Sequence, residues 1–371
     1  MLYRPEFHEP LTETAWDEAA VRARVERIAD EHFATYDPET LWPSAEWDAE
    51  EARLPLTTLY SGASGIAWAL ARLGRDAAAI ASRALEAWRE TSDYEESSEP
   101  PAHTHASLYF GETGPLVVAW LLGDGSLEDD LFARVRENVD ASTNELMWGQ
   151  TGTMIVAGAA YERTGDVRWK DVRGDSARVL LERRDEEGLW PPLRSGRSLG
   201  AAHGASTMAA VLGEGAEVTA AALAKYAVVE DGLANWPPAA GSELAHARDG
   251  KIRLQWCHGA PGIVTSAVDY LDEELLLAGA ELAWRAGPLG AEQGYGLCHG
   301  TAGSGYAFLK VFERTGDDQW LERGRRFAMH ALEQVDRLPP RYSLMTGSIG
   351  AALFANDCAE ARATFPIVDV L

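Results

Sequence analysis

Seven copies of a glycine turn, six of them closed by a second glycine and the fourth ending in Thr207 instead, run through this 371-residue chain and limit its fold more than any other feature. They read Ser61-Gly62-Ala63-Ser64-Gly65, Phe110-Gly111-Glu112-Thr113-Gly114, Trp148-Gly149-Gln150-Thr151-Gly152, His203-Gly204-Ala205-Ser206-Thr207, His258-Gly259-Ala260-Pro261-Gly262, His299-Gly300-Thr301-Ala302-Gly303 and Thr346-Gly347-Ser348-Ile349-Gly350. The first glycines stand 38 to 55 residues apart, the period of helical-hairpin repeats. Each unit has room for two helices and two loops.

After each turn comes a run that is apolar nearly all round, such as Ile66 to Ala71, Leu116 to Leu121 and Tyr306 to Phe312. Such runs predict helices buried on most sides. Between the turns lie amphipathic stretches, for example Asp317 to Gln334, which predict a second layer of helices with one solvated face. The link Glu313-Arg314-Thr315-Gly316-Asp317 recurs as Glu162-Arg163-Thr164-Gly165-Asp166, a glycine stop followed by a capping aspartate. Strand patterns are nearly absent. The expected fold is all-α: hairpins that close into an α/α toroid, because an open solenoid would need polar terminal caps. Closure would gather all seven turns at one rim.

Two of the three cysteines stand in the fifth and sixth turns, as Cys257-His258-Gly259-Ala260 and Cys298-His299-Gly300-Thr301. Thiolate and imidazole are the donors zinc prefers, and three of them leave a fourth tetrahedral position for water or substrate. Cys257, Cys298 and His299, from neighbouring turns of a ring, suit one shared ion. The alternative is that these thiols are small buried hydrophobes. A phosphate-cradling role for the glycines fails, since no strand precedes them and no Lys follows.

Trp256-Cys257-His258-Gly259-Ala260-Pro261-Gly262, Gly296-Leu297-Cys298-His299-Gly300-Thr301-Ala302-Gly303 and Gly200-Ala201-Ala202-His203-Gly204 resemble the signature segments of the lanthionine synthetase C-like family. The resemblance runs from about residue 55 to residue 371 and takes in all seven turns in order. It implies an α/α toroid with Zn2+ held by the residues at Cys257, Cys298 and His299. The activity it implies is addition of a thiol to dehydroalanine or dehydrobutyrine, giving a thioether. Some members cyclise peptides through the peptide's own cysteine; others, with His after the first Cys as here, use glutathione.

Such chemistry needs an acid and a cation. His203 corresponds to a family residue assigned to proton transfer, a task for which imidazole is the commonest side chain. Arg253, four residues before Cys257, is a candidate for holding the enolate; a solvated Arg is the alternative. Glu145 stands where peptide cyclases carry an aspartate and could orient His203, or be a plain helix-end carboxylate. His258 could be a second acid, a substrate contact or a partner behind the metal ligands. Arg194 and Arg197 are candidates for binding an anionic thiol. Trp190-Pro191-Pro192 and Trp236-Pro237-Pro238 suit either a cavity mouth or simple loop packing. His103 and His105 read as an exposed pair rather than a second metal site, and Cys358 as a buried structural thiol.

The repeat leaves residues 1–54 as an N-terminal helical extension, with an amphipathic helix over 14–34, and residues 55–371 as the barrel. A net charge of −25 argues against nucleic acid and anionic membranes as partners. The absence of a signal-like or spanning segment and of a disulfide framework points to a cytoplasmic protein. The chain has no spare length for a dehydratase, so the dehydroamino acid would come from an upstream dehydratase or from elimination after a kinase. A non-catalytic thiol-binding adaptor remains the main rival class. A carbohydrate-active α/α barrel is another, but it would leave the cysteines idle.

Overall fold

The computed structural model describes residues 1–49, 52–94, 105–191, 196–246 and 249–371. Helices dominate: α1 (Glu18–Thr35), α2 (Ala63–Arg72), α3 (Ala78–Glu90), α4 (Thr113–Leu122), α5 (Glu128–Glu137), α6 (Gln150–Thr164), α7 (Val167–Arg183), α8 (Ala205–Leu212), α9 (Ala216–Tyr226), α10 (Ala260–Ser266), α11 (Glu273–Ala286), α12 (Thr301–Thr315), α13 (Asp318–Arg337) and α14 (Ser348–Ala359). A small antiparallel hairpin, β1 (Val228–Glu230) and β2 (Leu233–Asn235), lies between α9 and α10. Every even-numbered helix starts at a glycine turn, and every odd-numbered one from α3 to α13 lies between turns, as the repeat predicts, while α1 precedes the first turn.

The two sets are buried as their sequences dictate. In α12 every residue from Thr301 to Val311 is buried. In α13 a stripe of Trp320, Leu321, Phe327, Ala328 and Leu332 is buried while Glu322 is exposed. The Gly-Asp links act as expected: Gly165 and Gly316 adopt left-handed φ of 70° and 68°. Asp317 then accepts the Gln319 amide at 2.9 Å, and Asp166 accepts that of Arg168 at 2.9 Å. Each caps a helix whose first N–H groups lack intrahelical partners. Among the described residues no helix is long and apolar enough to cross a membrane.

The chain divides into two compact units. The first comprises 1–25, 183–339 and 354–370, and carries the fourth to sixth turns. The second comprises 26–182, 340–353 and 371, and carries the first three turns and the seventh. One rule packs turns within both. The last glycine of a turn faces the residue three before the first glycine of the preceding turn, so that a Cβ on Gly114 would lie 2.8 Å from Leu59 Cβ, and one on Gly303 3.1 Å from Trp256 Cβ. Gly65 faces Leu344 in the same way, which seats the seventh turn beside the first. No larger residue fits such an approach.

Each unit has its own anchors. In the second, buried Asp93 accepts the Thr57 and Thr58 amides at 2.9 and 3.0 Å and so holds the approach to the first turn. Burial pushes its carboxyl up to about 6, against those hydrogen bonds. In the first, the Trp256 and Phe365 rings stack 4.5 Å apart, and residues before α1 lie against the α11–α12 connection through Glu9 N–Pro288 O and Gly290 N–Phe7 O, both 2.9 Å.

Candidate metal centre

The fifth turn is held in shape by its neighbours in the first unit. Gly259 has φ +94°, a conformation that favours glycine, and a Cβ there would overlap the Arg253 carbonyl oxygen. The Cys257 amide donates to the Cys298 carbonyl at 3.2 Å, fastening the fifth turn to the sixth. Gly200, on the approach to the fourth turn, lies against the Cys257 carbonyl. Asn235 at the end of β2 adds a second clamp: its Oδ1 accepts the Ala260 amide at 2.9 Å and its Nδ2 donates to Leu2 O at 2.9 Å.

This framework brings Cys257, Cys298 and His299 together. Their donor atoms all lie within 4.8 Å of one another, and both cysteines are buried and free of disulfides. Cys298 Sγ stands 3.7 Å from His299 Nε2. A tetrahedral zinc with Zn–S about 2.3 Å and Zn–N about 2.0–2.1 Å needs an S···N edge of roughly 3.6 Å, so the donor set fits the ion expected for it. Among the described residues this is the one group of three or more His, Cys, Asp or Glu side chains placed to hold a metal. The Cys257 thiol lies well below its ordinary value, chiefly through its hydrogen bond with Cys298; burial opposes this, and the charge of His299 assists.

Two further histidines stand beside the cluster. His203 and His258 have ring centroids 6.2 Å apart with planes tilted by 36°. Burial pushes His258 down to about 4, partly offset by Cys257, with His203 and Arg253 adding to the depression. Its Nδ1 is buried and has no hydrogen-bond partner among the described residues. Arg253 is close enough for its charge to act on His258, while its guanidinium pairs with Asp249 at 2.6 Å.

The other expected site residues have local partners. Glu145, in the second unit, is buried and its carboxylate accepts the Met147 and Trp148 amides at 3.0 and 2.7 Å, bracing its own turn. Arg197 is paired with Asp185 and Glu187 at 2.6 and 2.7 Å, so its charge is already matched by two carboxylates. Arg194 and His103 lie outside the described residues. The sequence reading overlooked Asn235 and Gln255. Gln255 is 4% exposed, and its side-chain oxygen lies 3.6 Å from Cys257 Sγ. Its position two residues before Cys257 was the available signal.

Comparison with known proteins places this geometry. Residues 56–370 match the family described as lanthionine synthetase C-like protein. A segment of 150 residues is 35% identical to glutathione S-transferase LANCL1 of Danio rerio, covering 37% of this chain and 35% of that protein. Another of 113 residues is 30% identical to LanC-like protein GCL1 of Arabidopsis thaliana, covering 26% of this chain and 25% of that one. The matched segments thus span about a third or less of these curated relatives. The solved structure of nisin cyclase aligns over 91% of this chain and 94% of its own, at 15% identity and a TM-score of 0.61. That likeness shows the fold, the all-α toroid class expected from the seven turns. The chain belongs to the lanthionine synthetase C-like family.

Proposed function

We propose that this protein adds a thiol to a dehydroalanine or dehydrobutyrine residue, forming a thioether, with Cys257, Cys298 and His299 holding Zn2+. One observation carries the reading: two buried thiols and an imidazole converge within 4.8 Å on adjacent turns, a three-donor set of the kind that catalytic zinc sites use. A zinc ion held there would supply the positive charge that keeps an incoming thiol as its nucleophilic thiolate. The remaining work belongs to the chain.

The sulfur bonds to the β-carbon, the π electrons move onto the neighbouring carbonyl as an enolate, and a proton must reach the α-carbon. His203, beside His258 and within the same unit as the cluster, is assigned as the group that delivers that proton. Arg253, whose charge reaches His258, is assigned to the enolate oxygen. His258 lines the site as a neutral ring, its burial excluding a second cation beside Arg253. Glu145 and Arg197 have local partners, and the reading does not depend on them; a role for Arg194 and Arg197 in thiol binding stays part of the proposal.

Glutathione is favoured as the thiol by the likeness to glutathione S-transferase LANCL1 over the segment they share. The acceptor would be a peptide or protein whose dehydroamino acid is made upstream by a dehydratase or a kinase-linked elimination, in a reducing cytoplasm. Residues 55–371 would form the catalytic barrel, with 1–54 as its extension. The test is to incubate the zinc-loaded protein with a dehydroalanine peptide and glutathione and measure the adduct by mass spectrometry. The expected result is an adduct that falls by about 10²–10⁴-fold in His203→Ala while zinc content is unchanged. Glutathione retained without any adduct in the wild type would instead support a thiol-binding adaptor.

A further inference from the structure

We propose that Gln255 is a positioning residue for the metal centre, whose side-chain amide donates an N–H to the sulfur of Cys257 when that sulfur is a metal ligand. This rests on the zinc reading above, but concerns a residue outside the ligand set. The Gln255 backbone amide donates to the His258 carbonyl at 2.9 Å, closing a tight bend around Trp256 and Cys257. That bend turns the Gln255 side chain back onto the cysteine: the amide lies 3.6 Å from Cys257 Sγ and is 4% exposed.

The chemistry of the two sulfur states decides the amide's orientation. A protonated thiol can donate to the amide oxygen, the end of the amide that lies against Sγ here. A metal-bound sulfur is a thiolate with no proton to give, and an oxygen lone pair held against it is repulsive. A half-turn of the terminal amide exchanges O for NH2 at the same position, since the two ends of a glutamine amide have nearly the same size. Gln255 therefore serves both states without moving its stem. Hydrogen bonds to ligating atoms are among the features that set metal affinity, and their loss typically costs 10–100-fold.

The experiment uses the full chain loaded with zinc, and separately with cobalt, in the wild type and in Gln255→Met and Gln255→Glu. Methionine preserves stem length without a donor; an ionised glutamate preserves shape but offers acceptors only. Zinc affinity, read by competition with a chromophoric chelator, is expected to fall about tenfold in Gln255→Met and further in Gln255→Glu. The sulfur-to-cobalt charge-transfer band is expected to move to lower energy in both. Affinities within twofold of wild type overturn the proposal. So does an equal loss in both variants without a band shift, which marks packing alone. A wild-type protein that binds neither metal defeats the zinc reading itself, whereas a metal-binding wild type with unchanged variants defeats only the role of Gln255.

Discussion

The two units decorate the same turn differently. Immediately before the first glycine, the turns of the first unit carry His203, His258 and His299, whereas those of the second carry Ser61, Phe110, Trp148 and Thr346. One position earlier, Cys257 N donates to Cys298 O at 3.2 Å, and at the same register Tyr60 N donates to Tyr109 O at 3.1 Å. The backbone link is the same and the side chains are unrelated. In the second unit they become an aromatic stack, with Phe110 centred 5.0 Å from Tyr60 and 5.2 Å from Trp148. The glycines and backbone links therefore build the turns, and the two positions before them are free to carry chemistry or packing.

The sharpest way to break this division is to alter the same register position in both units. Cys257→Ala or Cys298→Ala is expected to reduce bound zinc from about one equivalent to none, because two protein ligands rarely retain a catalytic zinc. Tyr60→Ala, at the corresponding position of the second unit, should leave zinc content unchanged while lowering the melting temperature. Metal analysis of the purified variants decides it. Zinc lost in Tyr60→Ala would mean that the second unit is not merely packing.

Histidines in the two units also separate. His32 in α1 is buried against Tyr342, their rings 5.0 Å apart, and its Nδ1 bonds the Ile28 carbonyl at 2.8 Å while Nε2 has no partner. Burial pushes its pKa down to about 4 from 6.5. A depressed value in the folded state means that the neutral ring is favoured. Its stabilisation is complete above about pH 6.5 and is lost as pH falls toward 4, a change on the order of 3 kcal/mol. Urea midpoints measured from pH 7 to pH 4.5 should fall more steeply for the wild type than for His32→Phe. Parallel slopes would show that this ring does not couple folding to pH.

Scaffold changes, by contrast, should hurt both units alike. Gly114→Ala presses a Cβ onto the Leu108 carbonyl and Leu59 Cβ, and Gly303→Ala onto the Leu297 carbonyl and Trp256 Cβ. Each is expected to destabilise by about 1–3 kcal/mol, the usual cost of overpacking. Only Gly303→Ala should also weaken zinc binding, since Trp256 adjoins Cys257. Thermal melts with and without zinc separate the two effects: a zinc-dependent shift that is lost in both variants would contradict the independence of the units' roles.

The turns were legible in the sequence because repetition reveals itself: a glycine motif recurring at helical-hairpin spacing marks every even-numbered helix. The convergence of Cys257, Cys298 and His299 was legible because the cysteines stand two residues, and the histidine one, before the first glycine of adjacent turns. Asn235 was not, because its clamp on Ala260 links a β-hairpin to a turn 25 residues away and no local pattern encodes it. The pairing of Arg197 with Asp185 and Glu187 was not legible either, because it depends on how the loop folds. Helix lengths were also hidden: α10 stops at Ser266 while α12, after an equivalent turn, continues to Thr315. Long-range partners and stopping points depend on packing, which a one-dimensional pattern does not carry.

The smallest expected effect tests a device that both units share outside the turns. Asp317 in the first unit and Asp166 in the second each follow a left-handed glycine and accept the amide two residues on, at 2.9 Å in both cases. Asp317→Ala removes the side-chain acceptor of the Gln319 amide and should cost about 1 kcal/mol, the usual loss for an N-cap aspartate. Asp166→Ala should shift stability in the same direction, and Asp317→Ser should recover most of the loss, because a hydroxyl accepts the same amide. Denaturant midpoints of the three variants check this. A large loss in one unit with none in the other would mean that the repeated link has been put to a second use there, which neither its sequence nor its hydrogen bonds require.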